Sequence, residues 1–225
     1  MRIIDIKTQP LGLVLDSFCI CQSCHIVDTD HERIEVGHPC STCGEPSPSG
    51  RSFFSLPVYS LINLMQVSYH SENVISQTGG LQDHHASEDT KLAVVIFFVA
   101  LREVLMTRFL GSLMIDRNIP KDICERLFED NLTHTQRMNK LFQSLTGQKW
   151  KKAIKILSED SGIDYANLDK FIEDTVNARK TFLHQGIKWA VGKDMVRHCL
   201  ERIPSLLQLH VDLHNKYVYP LYKTG

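Results

Sequence analysis

Cys21-Gln-Ser-Cys24, fifteen intervening residues, then Cys40-Ser-Thr-Cys43-Gly44 is the stretch on which the reading of this chain turns. Two C-x-x-C units at this separation fit the spacing of a zinc ribbon. Each C-x-x-C turn offers two thiolates to one ion, and two such turns complete a tetrahedron. Gly44 lets the second turn take a positive φ. A module this small buries too little apolar surface to fold by itself, so metal binding supplies folding energy. Four cysteines leave zinc no open position, which makes the expected role structural rather than catalytic. Disulfides are the first alternative, and no secretory signal accompanies them: the opening Met-Arg-Ile-Ile-Asp-Ile-Lys breaks its apolar residues with charges. The second is c-type haem attachment, which Cys21-Gln-Ser-Cys24-His25 also matches; it requires export and leaves Cys40 and Cys43 without a role. Cys19 and His25 flank the first pair as spectators.

Outward from the quartet, residues 1–56 read as a β-rich, turn-rich ribbon. Strands are expected over Arg2–Ile6, Leu11–Leu15, Arg33–Val36 and Ser52–Leu56. Residues 57–86 form a connection: a helix from Pro57 with an apolar stripe of Val58, Leu61, Ile62 and Met65, then a polar loop over 71–89 that contains His84-His85. From there to residue 225 the periodicity is helical throughout. Helices are expected over about 87–114, 120–130, 133–145 and 151–158. A fifth, opened by Asp164 or Asn167, closes at Gly186, and a last one from Asp194 to about Tyr217 is disturbed by Pro204. The fold class is therefore mainly α: a small β-rich zinc ribbon at the N-terminus followed by an all-α helical bundle.

Composition adds limits. The 225 residues are 43% hydrophobic and 23% charged with net charge -1, the profile of a globular protein. That balance argues against a strongly electrostatic DNA binder. The longest apolar run, Leu92–Leu101, is too short for a membrane span, so no membrane association and a cytoplasmic, reducing setting are expected. Cys124 and Cys199 read as small buried apolar residues. His198, His210 and His214 read as surface histidines of the last helix. No phosphate-binding loop, dinucleotide fingerprint or nucleophile elbow is present.

The chemistry-bearing stretch of the helical part is Arg179-Lys180-Thr-Phe-Leu-His184-Gln-Gly186. Histidine can accept the proton of a ribose 2′-OH or protonate a leaving oxygen, and arginine can hold a phosphate and the charge that develops on it. RNA is then the substrate, because it carries the internal nucleophile. Five helical residues turn through about 500°, so the two side chains start about 140° apart unless the helix bends near His184. A two-fold dimer offers another way to complete a cleft. The competing reading is a helix C-terminus that gathers cations to suit its dipole.

An all-helical domain with R-x4-H late in a long helix, closed by glycine, resembles the HEPN superfamily. The resemblance implies a compact, commonly dimeric bundle and a metal-independent endoribonuclease of toxin–antitoxin, abortive-infection or CRISPR type. An antitoxin or other protein partner would go with such a role. It assigns Arg179 to phosphate stabilisation, His184 to acid–base work and Glu103 to a supporting acid. Lys180 stands where the family usually carries Asn, Asp or His. Lys149, Trp150 and Lys152 form a basic, aromatic patch that can contact RNA phosphates and stack a base; the competing reading is a solvated helix start with Trp150 in the core.

Overall fold

The computed structural model describes residues 18–28, 39–40, 42–45, 51–78, 81–186 and 191–219. The strands expected over Arg2–Ile6, Leu11–Leu15 and Arg33–Val36 lie outside these. The protein is mainly helical, with a small β-structured region carrying the cysteine quartet. That region is a three-stranded antiparallel sheet of two-residue strands, β1 (Cys19–Ile20), β2 (Val27–Asp28) and β3 (Arg51–Ser52), in the order β2-β1-β3. Cys19 faces Asp28 on one side and Ser52 on the other.

The helices are α1 (Leu56–Thr78), α2 (Leu81–Asp116), α3 (Lys121–Asp130), α4 (His134–Gln136), α5 (Gln143–Thr146), α6 (Trp150–Ser161), α7 (Tyr165–Gln185), α8 (Lys193–Glu201) and α9 (Ile203–Leu213). Arg137–Phe142 joins α4 to α5 as a π-helical stretch, and His214–Val218 extends α9 in the same wider winding. Several boundaries follow local chemistry. Thr133 and Gln136 make a reciprocal capping box at the start of α4. Gly147, Gly162 and Gly186 take positive φ just past α5, α6 and α7, where a side chain would be strained.

Several boundaries differ from the sequence reading. The strand expected over Ser52–Leu56 is β3, which ends at Ser52, and Leu56 already opens α1, with Pro57 in the first turn where its missing N–H is harmless. The polar stretch over 71–89 is helical up to Thr78 and again from Leu81. Its polar residues satisfy one another instead of water: Ser87 Oγ donates to Glu72 Oε1 at 3.2 Å, both side chains buried. Buried polar pairing resembles loop composition in a one-dimensional sequence. The last expected helix is two, α8 and α9. They break at Arg202, ahead of Pro204, which is set in the first turn of α9, where its missing N–H does no harm.

The chain divides into two compact units whose segments interleave in sequence. The first comprises Met1–Leu15, Phe54–Val104 and Asn167–Leu206. Its core holds Ile62, Met65, Phe98, Leu101, Leu168, Ile172 and Ile203. Phe98 meets Phe171 edge-to-face at 5.6 Å, and the Arg202 guanidinium covers the Phe171 ring at 4.5 Å. The second unit comprises Asp16–Phe53, Leu105–Ala166 and Leu207–Gly225, so the cysteine segment belongs to the same body as α3 to α6. Phe142, fully buried, sits within 6.2 Å of Phe109, 5.2 Å of Trp150 and 5.6 Å of Tyr217. Tyr165, also fully buried, donates to Asp212 Oδ2 at 2.5 Å, and burial together with that carboxylate pushes its phenol well above the ordinary range.

Candidate functional site

The two C-x-x-C turns are copies of one local structure. In the first, the Cys21 amide donates to the Ile26 carbonyl and the His25 amide to the Cys21 carbonyl, each at 2.9 Å. In the second, Cys40 donates to Glu45 and Gly44 to Cys40, again at 2.9 Å. The residue after each pair is left-handed: φ is 60° at His25 and 74° at Gly44. The sequence shows the need at Gly44 and hides it at His25, where a non-glycine residue takes the same conformation.

This pairing brings the four sulfurs of Cys21, Cys24, Cys40 and Cys43 within 4.8 Å of one another. Cys21 and Cys43 are 3.8 Å apart and Cys24 and Cys40 are 3.6 Å apart, with all four thiols free. A tetrahedral ion with metal–sulfur bonds near 2.3 Å requires sulfur–sulfur separations of about 3.8 Å, so the donor set fits a metal ion. The protonation energetics point the same way. Burial pushes the Cys24 thiol up to about 12. Burial also raises Cys40, but amides of Cys43 and Thr42 and the neighbouring thiols outweigh it and bring that thiol down to about 7. At Cys43 the Glu45 amide pulls downward, while desolvation and the Cys40 and Cys21 thiols push upward and win. Cys40 ionises readily while Cys24 and Cys43 resist; a cation among them favours the thiolate form. Cys19, buried in β1, is not part of the cluster.

What holds the first turn in place has no local signature. Asn215, 188 residues away, donates through Nδ2 to the Val27 carbonyl and accepts through Oδ1 from the Val27 amide, both at 2.9 Å. Its amide occupies the free edge of β2 as a strand neighbour would. His214 Nε2 lies 2.9 Å from the His25 carbonyl; since a carbonyl only accepts, Nε2 carries the proton. The His214 ring meets Phe53 edge-to-face at 5.1 Å, and Arg108 caps Phe53 at 5.4 Å. His210 and His214 are therefore not surface histidines: they are 3% and 5% exposed. Both sit on the inward face of α9 and its extension, which the four-residue spacing alone does not distinguish from an outward one.

Burial lowers the His214 pKa below its ordinary value of 6.5, more than the His25 carbonyl and Asp116 raise it. A base with a depressed folded pKa binds fewer protons folded than unfolded, so its contribution is full above about 6.5 and is lost as pH falls. Between pH 7.5 and 5.5 the melting temperature of the wild type should drop further than that of His214→Gln. The glutamine amide keeps an N–H donor for His25 and has no proton to gain. Equal drops would show that His214 is not the acid-sensitive group.

In the first unit, Arg179 Nη1 meets Glu103 Oε1 at 3.1 Å, joining α7 to α2. The side chains are 34% and 44% exposed, so the pair contributes only about 0–1 kcal/mol to stability. Lys180 and His184 are exposed, and His184 has no hydrogen bond or ion pair among the described residues. Helix α7 runs unbroken to Gln185, and the Gly186 amide donates to the Phe182 carbonyl at 2.8 Å to end it. The bend that would bring Arg179 and His184 together comes after His184, not before, so the two stay about 140° apart around the axis.

Of the basic patch, Lys149 and Lys152 are exposed at the start of α6, but Trp150 is only 5% exposed and packs edge-on against Phe142. Of the two readings of this patch, Trp150 takes the core one and is not available to stack a base: burying the indole in the aromatic cluster outweighs leaving it in water. Cys199 is buried as expected, while Cys124 is half-buried with its thiol 3.5 Å from the Ile119 carbonyl. His84 and His85 lie in α2, and their side chains are outside the described residues. No described helix is long and apolar enough to cross a membrane. Against known proteins, no family model, no curated protein and no solved structure matches this chain.

Proposed function

We propose that this protein is a metal-independent endoribonuclease of HEPN type, with a structural zinc ion held by Cys21, Cys24, Cys40 and Cys43. The observation that carries the nuclease reading is the Arg179–Glu103 pair, formed on a partly exposed surface where it adds little stability, on the same helix end as exposed His184. An acid that contributes little to stability is well used as a positioning group for the guanidinium. In this reading His184 takes the 2′-OH proton, or protonates the departing 5′-oxygen, and Arg179 neutralises the charge gathering on the phosphorane. The products are a 2′,3′-cyclic phosphate and a 5′-hydroxyl. Because α7 keeps Arg179 and His184 apart within one chain, a second copy supplies the facing pair. A toxin or antiviral defence role, with an antitoxin or other protein partner, accompanies this class. For the metal, an all-thiolate tetrahedron favours zinc, and its closed coordination leaves it a folding role.

The test is incubation of zinc-loaded protein with RNA in buffer freed of other divalent cations, beside Arg179→Ala/His184→Ala. Cleavage to cyclic-phosphate ends, at least about 100-fold slower in the variant, is expected. RNA left intact by the wild type, monomer or dimer, would remove the nuclease reading. A second reading, a non-catalytic HEPN-like binding module, is favoured by one observation, the unbroken helix that separates the two residues. RNA binding without cleavage would select it.

A further inference from the structure

Outside these sites, the opening of α6 presents a lysine-rich surface. Lys149, Lys151, Lys152 and Lys155 are all exposed, and Trp150, Ala153, Ile154 and Leu157 are all buried. At 100° per residue the buried set occupies one arc of the helix and the four lysines the opposite one. Lys155 is balanced by Glu159 at 3.8 Å. The Lys149, Lys151 and Lys152 ammonium groups have no hydrogen-bond or ion-pair partner among the described residues.

This arrangement runs against local energetics. The first turn of α6 contains no acidic residue, and Lys149 at the N-cap makes no side-chain cap. Cations at a helix N-terminus oppose the helix dipole, and three together repel one another. Serine or aspartate would stabilise the helix better. A break of local rules on an exposed, rigidly anchored surface points to a role in binding. The surface also limits the partner. Its aromatic residue is turned inward, so it lacks the aromatic anchor that protein interfaces centre on and the apolar side chains that enter a lipid surface. What remains is a set of flexible point charges, suited to phosphates that need no particular base beside them.

We propose that Lys149, Lys151 and Lys152 form a sequence-independent docking surface for the phosphate backbone of single-stranded RNA. The choice of RNA over other phosphate polymers rests on the ribonuclease reading above; the docking itself does not require cleavage. Each phosphate neutralised releases counterions, so three contacts contribute about -2 to the slope of log K against log salt.

The experiment measures binding of fluorescent single-stranded RNAs of two unrelated sequences between 50 and 300 mM salt. It uses Arg179→Ala/His184→Ala protein, with and without Lys149→Gln/Lys151→Gln/Lys152→Gln. The expected result is equal affinity for both sequences, at least about tenfold weaker with the lysines replaced, and a salt slope shallower by about 2. Melting temperature serves as the folding control and should stay level or rise, because replacing the lysines removes cations from the positive end of α6. An unchanged slope, no RNA binding, or capture of the lysine surface by polyglutamate or phosphatidylserine vesicles instead would overturn the proposal. Loss of cleavage by the wild type would overturn the nuclease reading alone.

Discussion

Replacing Cys24 with serine should strip the protein of its metal and loosen its C-terminal helix together with the cysteine turns. Among the described residues the site has four donors, and Cys19 lies outside the cluster. Removing a ligand should therefore exceed the roughly 10–100-fold affinity loss typical of disturbing an outer-sphere partner. The structural effect follows from the backbone. The first turn presents the His25 carbonyl, and β2 the Val27 amide and carbonyl, to His214 and Asn215. When the metal leaves, the turn loses what fixes it, and the 214–218 segment loses three hydrogen bonds. Metal content by mass spectrometry should fall from one ion per chain to almost none, and hydrogen exchange should accelerate over residues 207–219. Asn215→Ala separates the two effects. It removes both Val27 bonds without touching a ligand, so metal is retained while stability falls by about 1–3 kcal/mol. A Cys24→Ser protein with full metal content and unchanged exchange would show that the quartet is not the site.

The second large effect is expected at Phe142. Its ring is fully buried between Phe109, Trp150 and Tyr217. Truncation to alanine removes the ring's burial and leaves a cavity that three aromatic neighbours cannot easily collapse into, a loss of about 3–5 kcal/mol. Denaturant midpoints measure it, and Trp150 reports locally: its emission should shift to the red as water reaches the indole. A loss below about 1 kcal/mol would mean that the cluster relaxes around the gap and is not the centre of this unit.

The cysteine spacing identified the four thiols that cluster because a C-x-x-C turn is a local structure; the backbone hydrogen bonds that form it span no more than five residues. The helix end at Gly186 was legible for the same reason. The polar stretch over 71–89 misled because Glu72 and Ser87 find each other fifteen residues apart, which composition does not record. Trp150 left two readings open: lysines on either side suggest a surface, yet at 100° per residue an indole between them can face the core, and packing on Phe142 decides for the core.

What the sequence determined by itself is local: a four-cysteine cluster spaced to hold a metal, a mainly helical body, and one helix end bearing Arg179 and His184. What only the tertiary structure decided is long-range. It set the cysteine turns in one compact unit with the C-terminal helix, clamped by His214 and Asn215, and it paired Arg179 with Glu103, 76 residues earlier. The physical reason is the reach of the forces involved. Turn geometry and helix caps are fixed by neighbours within a few residues, whereas a side chain meeting a distant carbonyl or carboxylate depends on how whole helices pack, which no short spacing encodes.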